Sequence, residues 1–176
     1  LVLGARGVGG LRRLLLGSMS VRLMRHMDRP LLVVRQAPHR PYRRVLVAVD
    51  GSPGSHHALT LARCFAPGAQ LVILTVAEVP FADKLRFAGV EPATVEVYQR
   101  QARTRARLQL HALAHEAGLL PGQWEPRVVV GDAPLRIVEQ ARASDCDLVV
   151  LGRQGASTAA DRLFGSVTGR VLAEGP

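Results

Sequence analysis

Four short apolar runs of one kind constrain this chain more than any other feature. They are "VLVAVD" (45–50), "AQLVILTVAEV" (69–79), "WEPRVVVGD" (124–132) and "DCDLVVLG" (145–152). Each is rich in β-branched or aliphatic residues without a polar alternation, the pattern of a strand covered on both faces. Each is followed by a stretch of helical length: "GSHHALTLARCFA" (54–66), the long "EPATVEVYQRQARTRARLQLHALAHEAGLLPG" (91–122), "APLRIVEQARAS" (133–144) and "GSVTGRVLAEGP" (165–176). Strands joined by crossovers of that length run parallel, with right-handed connections. The expected fold class is therefore α/β, an open parallel sheet with helices on both faces.

Local signals agree with this order. Ser52 can cap the first helix and Pro53 suits its first position. Ala58, Leu61, Ala62 and Phe65 are expected on its buried face, and Pro67-Gly68 stops it. Pro92 lies near the start of the long helix and Gly118 near its end, while Asp132 caps the third. With 176 residues, 48% of them hydrophobic and only 4% aromatic, the chain suits one folded domain with an appendage. Cys64 and Cys146, with no CxxC spacing, read as two reduced core thiols. No apolar run approaches the roughly 18 residues of a membrane span, and the run Leu14-Leu15-Leu16 after Arg12-Arg13 is short for a signal peptide. A cytoplasmic protein with no membrane partner is expected.

The net charge of +9 is unevenly placed. Residues 1–44 hold ten Arg and one Asp, so the body from residue 45 is neutral. The basic arm has no aromatic except Tyr42 for base stacking and no unbroken basic run, so a solvated face is expected and no nucleic-acid partner.

In an open α/β sheet, ligands bind beyond the carboxyl ends of the strands. Two strand ends are suited to this. The first ends in Asp50, a carboxylate able to accept from a ligand hydroxyl or amine. The fourth ends in Gly152 and opens a loop with Gly155, which returns at Gly165-Ser166 to a helix start. Glycines let backbone N–H groups approach an anion, and a helix N-terminus favours phosphate. There is no GxxxxGK[ST] and no GxGxxG. A tight strand-to-helix loop that merely needs small residues remains the alternative for the glycines taken alone.

The spacing G-x2-G-x9-G-S after "DLVVLG", with "VLVAVDGSPGS" opening the domain and "VVVGDAPLRIVEQA" between them, resembles the universal stress protein family, in its ATP-binding branch. The resemblance covers residues 43–176 nearly end to end and implies a sheet of strand order 3-2-1-4-5. It implies ATP as ligand, with Mg²⁺ carried on the phosphates. Asp50 then resembles the family's acid that contacts the adenosine portion and Val76 the residue flanking adenine. Gly152, Gly155, Gly165 and Ser166 match the phosphate and ribose loop, with the backbones of Arg153 and Val167 within it. Arg153 sits where a basic residue is common. No Ser/His/Asp set, no paired carboxylates and no lysine near the loop point to catalysis, so no catalytic residue is assigned and a non-catalytic sensor of stress is expected. Two alternatives stand beside it: an interaction module of the same fold that binds no nucleotide, and a slow ATPase, for which Asp161 is the nearest carboxylate in sequence.

The glycine pattern occurs twice. "LGARGVGGLRRLLLGSMSV" (3–21) repeats it through Gly4, Gly7, Gly17 and Ser18. Residues 1–35 thus resemble the last third of a universal stress domain, 36–43 a linker, and 44–176 a second such domain that stops before its own fifth strand. The expectation is a piece of a tandem protein, its opening Leu marking either processing or a longer parent. The first glycine set, lacking an acid of its own, reads as half a site. Residues 31–35 are expected to pair with a fifth strand of a neighbour or of the missing portion, and a homodimer or tandem pairing through that strand is the expected association.

Weaker signals read as surface. His111 and His115 are one helical turn apart, a spacing that can hold a metal, but no third ligand is evident and no metal site is assigned. His56 and His57 open the first helix. Arg100, Arg103, Arg105 and Arg107 form a basic cluster on the long helix, solvated or docking an acidic partner.

Overall fold

A computed structural model describes residues 1–4, 29–36, 40–77, 90–152 and 166–175. Its elements in chain order are β1 (Val2–Gly4), β2 (Leu32–Val34), β3 (Arg44–Ala48), α1 (Pro53–Phe65), β4 (Gln70–Ala77), α2 (Pro92–Glu116), β5 (Trp124–Val130), α3 (Ala133–Ala143), β6 (Leu148–Leu151) and α4 (Ser166–Glu174). β3 to β6 form a parallel sheet ordered β5-β4-β3-β6. Counted within 44–176 this is 3-2-1-4, the expected order without its fifth position. Among the described residues no strand pairs with the outer side of β6. β1 and β2 pair in parallel as a separate two-stranded sheet, so the described partner of 31–35 is β1.

Alternation along the strands divides the core between two faces. Val45, Val47 and Val49 of the β3 segment and Leu71 and Ile73 of β4 point to one side, against Ala58, Leu59 and Ala62 of α1 and Leu110, Leu113 and Ala114 of α2. Leu46, Val72 and Leu74 point to the other, against Ile137, Val138 and Ala141 of α3, Val171 of α4 and Cys146. Period-two side-chain direction converts continuous apolar runs into two helix-covered faces. Full burial of each Val, Leu or Ile contributes about 1.5–3 kcal/mol. Among the described residues no helix is long and apolar enough to cross a membrane.

Four expectations need correction. The buried stripe of α1 is Ser55, Ala58, Leu59 and Ala62, whereas Leu61 and Phe65 are exposed. Phe65 instead leans on Tyr42, ring centroids 5.8 Å apart. Ser52 occupies the N-cap position of α1 but its side chain makes no cap bond. Of the two thiols only Cys146 is buried; Cys64 is exposed. Asp132 caps α3 as expected, accepting from the Leu135 N–H at 3.2 Å.

The run 145–147 is no part of β6. Asp145 takes a positive φ of 48° after α3, and Asp147 turns its carboxylate onto the start of β3. Its two oxygens accept the N–H groups of Arg43 (2.9 Å) and Arg44 (3.1 Å). Its own N–H donates to the Arg44 carbonyl at 3.0 Å. The Arg44 guanidinium in turn pairs with Glu125 at the start of β5, and Glu125 also pairs with Arg127. The amino ends of the strands are thus held by charge.

Candidate functional site

The carboxyl ends of three adjacent strands bring together residues distant in sequence. Ala48 lies opposite Leu74 of β4 and Leu151 of β6. Continuing that register, Asp50 is level with Val76 on one side and one residue beyond Gly152 on the other. Three neighbouring strands span about 10 Å, a width suited to a small ligand.

Asp50 closes the turn between β3 and α1. Its Oδ1 accepts the Ser52 N–H at 3.0 Å and the Ser55 hydroxyl at 2.8 Å, while its own N–H donates to Ser55 Oγ at 2.9 Å. Gly51, at φ +79°, supplies the left-handed step that this tight turn needs. Asp50 itself is exposed, whereas Ser52 and Ser55 are buried. Val76 is half-buried and packs on the face shared with α3 and α4, and its side chain offers an apolar contact at the rim.

On the other flank, Gly152 follows β6 directly and α4 begins at Ser166. The hydroxyl of Thr168, in the first turn of α4, donates to the Gly152 carbonyl at 3.1 Å and joins the helix to the strand end. Val167 and Leu151 both pack against the buried cluster that includes Val171. The free N–H groups and positive dipole end of α4 are therefore held beside the end of β6. Below them, Arg170 bonds Asp132 at 3.1 Å and fastens α4 to the start of α3.

Of the residues singled out in the sequence, the structure brings together Asp50, Val76, Gly152, Ser166 and Val167 at one end of the sheet. Arg153, Gly155 and Gly165 lie outside the described residues, as do Gly7, Gly17 and Ser18 of the first glycine set. Ser55 and Thr168 were missed. The signals were present, a serine five positions after the strand-end acid and a threonine two after Gly165-Ser166. Only the fold shows that their hydroxyls turn back onto Asp50 and Gly152.

His111 and His56 make contacts away from these strand ends. His111 packs edge-on to Trp124, centroids 5.1 Å apart, and His56 faces Glu116 at 3.4 Å. Among the described residues no three His, Cys, Asp or Glu side chains cluster as metal ligands. A groove of about 550 Å³ lined by Thr60, Arg63, Cys64, Leu71, Leu119 and Gln123 lies at the amino end of β4 and contains none of the predicted site residues. Burial pushes the Cys146 thiol above its ordinary value of 9.0.

Comparison with known proteins gives the family of the chain. The sequence pattern of the universal stress protein family matches residues 1–35 and again 41–176. Universal stress protein Rv2005c of Mycobacterium tuberculosis is 33% identical over 176 residues, covering 97% of this chain and 57% of its own. Universal stress protein Rv2623 of the same organism is 31% identical over 172 residues, covering 95% and 55%. The chain thus spans little more than half the length of these curated relatives. Among solved structures, a protein from Pseudomonas aeruginosa superposes with a TM-score of 0.65 at 19% identity, covering 99% of this chain and 59% of its own. UspA from Lactobacillus plantarum superposes at 0.54 and 23% identity, covering 78% and 95%. These two share the fold, and the sequence matches give the kinship: the chain belongs to the universal stress protein family.

Proposed function

We propose that the unit 44–176 binds ATP, with Mg²⁺ on its phosphates, and acts as a non-catalytic regulator whose association changes with nucleotide. The observation that carries this reading is the convergence at one sheet end of an exposed carboxylate just beyond β3, an apolar side chain on β4 and a helix N-terminus beside Gly152. These are three chemistries that an adenine nucleotide needs together. Asp50 accepts from hydroxyls of the sugar, Val76 lies against the base, and the start of α4 with the glycine loop holds the phosphates. The donor set is backbone and hydroxyl, which suits a bound anion without a lysine. Arg153, Gly155 and Gly165 belong to the same loop by their motif. A sensor is preferred over an enzyme because the described residues of the set, Asp50, Val76, Gly152, Ser166 and Val167, include no histidine, lysine or cysteine, and a cytoplasmic site accords with an ATP ligand.

Calorimetric titration with ATP and Mg²⁺ tests the reading, beside Asp50→Ala and Gly155→Val. One site per chain, lost in both variants, is the expected result and also assigns no second site to 1–35. No heat, with no nucleotide carried through purification, would sink it.

A second reading, an association module, has one observation in its favour: the outer side of β6 has no strand partner among the described residues. Such an edge invites another strand. In this reading 1–35 is the end of a preceding domain and pairing through a fifth strand, within a tandem protein or a homodimer, completes the sheet. Sedimentation of the chain with and without ATP separates the two.

A further inference from the structure

A carboxylate on an exposed strand-to-helix turn swings among rotamers unless something fixes it. Here the hydroxyl of Ser55 does so. Ser55 lies in the first turn of α1, is 2% exposed, and heads the stripe that continues through Ala58, Leu59 and Ala62 onto the sheet. Its Oγ accepts the Asp50 N–H at 2.9 Å and donates to Asp50 Oδ1 at 2.8 Å. The two bonds close a ring through the backbone and the side chain of the same residue. The Ser52 N–H reaches that same oxygen at 3.0 Å.

Packing and propensity alone would not put a serine there. The rest of the stripe is apolar, and alanine is the better helix former. A buried hydroxyl is tolerated because both its donor and its acceptor capacity are used, and both are used on Asp50. Leu59 is fully buried, so α1 cannot shift without disturbing the core. The anchor for the carboxylate is therefore rigid.

We propose that Ser55 is a positioning residue that pre-orients the Asp50 carboxylate for the adenosine portion of the ligand, an inference that rests on the nucleotide-binding reading above. Its signature is selective. Asp50 follows β3, whereas α4 starts beside the end of β6, one strand over, so loss of the lock is expected to weaken ligands that carry the nucleoside and to spare those that carry only phosphate.

The experiment compares wild type with Ser55→Ala, titrating each with Mg²⁺-ATP, adenosine and inorganic tripolyphosphate. Ser55→Ala is expected to weaken ATP and adenosine about tenfold, the worth of one hydrogen bond to a charged group, with tripolyphosphate unchanged. In an Asp50→Ala background the same substitution adds nothing. Ser55→Cys, with its weak S–H donor, falls between. A readout without ligand accompanies these: the Asp50 amide, deprived of its acceptor, exchanges its hydrogen faster in Ser55→Ala. ATP affinity equal to wild type, or equal weakening of all three ligands, overturns the positioning role. Unchanged exchange at the Asp50 amide overturns the lock itself. A wild-type chain that binds none of the three ligands overturns the nucleotide reading, and the positioning role falls with it.

Discussion

Replacing Thr168 by Val isolates one bond at the site. The two side chains have nearly the same shape and similar helix propensity, so packing beside Gly152 is largely kept. What is lost is the 3.1 Å bond from the hydroxyl to the Gly152 carbonyl. A neutral bond of this kind contributes about 1 kcal/mol. Gly152 is half-buried, so water reaches the freed carbonyl and the full penalty of an unmet acceptor is not incurred. α4 keeps its other anchors, buried Val171 and the Arg170–Asp132 pair. The fold therefore survives with a Tm lower by about 2–4 °C for a chain of this size. If the bond sets where the first turn of α4 stands relative to the strand end, about 1 kcal/mol reappears as roughly fivefold weaker ATP binding. Thr168→Ser, which retains the hydroxyl, binds as wild type. Titration calorimetry and thermal denaturation on the three proteins decide it. Equal affinity in Val, Ser and wild type would refute the reasoning, because the clamp would then be incidental to the site.

Asp147→Ala removes the acceptor of two backbone N–H groups at the start of β3. The carboxylate is exposed, so the expected loss is about 1–2 kcal/mol, read as a fall in denaturation midpoint without change in m-value. Gly131→Ala forces a side chain onto φ +141° with its Cβ 2.8 Å from Arg136 Nε. A cost of about 1–3 kcal/mol is expected in thermal unfolding, and wild-type stability would show that the turn relaxes freely. The two thiols separate by reactivity: Cys64 alkylates in the native protein, and Cys146 only on unfolding, as mass spectrometry of the labelled protein would show. The raised Cys146 thiol also gives a sign to high-pH behaviour. Below 9.0 both states keep the proton; above it the unfolded thiol ionises first, so stability falls as pH rises toward the native value.

The order of elements was legible because apolar runs buried on both faces leave a continuous signal, and Pro53, Pro92 and Asp132 mark helix starts chemically. The phase of α1 was not. A pattern search weighs Leu61 and Phe65 as inward because they are large and apolar, yet the helix is turned by Ser55, whose bonds to Asp50 draw a polar residue to the sheet. That rotation selects Leu59 and exposes Phe65. Asp147 was hidden for a different reason: it serves backbone groups 104 and 103 positions upstream, a relation without local periodicity. At the site, the strand-end residues Asp50, Val76 and Gly152 could be named from register and resemblance, whereas hydroxyls that act on neighbours, Ser55 and Thr168, required coordinates.

The charged fastening at the amino ends of the strands has a consequence for how such a chain changes over time. Asp147 grips the residues where the linker meets β3, and Arg35, at the end of the first segment, donates to the Leu172 carbonyl near the far end of α4. Upstream sequence therefore joins the sheet at the pole opposite Asp50 and Gly152. A change in what is attached at that pole therefore leaves the turn at Asp50 and the Thr168–Gly152 bond untouched. A unit coupled at one end and carrying its candidate site at the other is suited to duplication, because the same fold can follow another copy without rearranging that site.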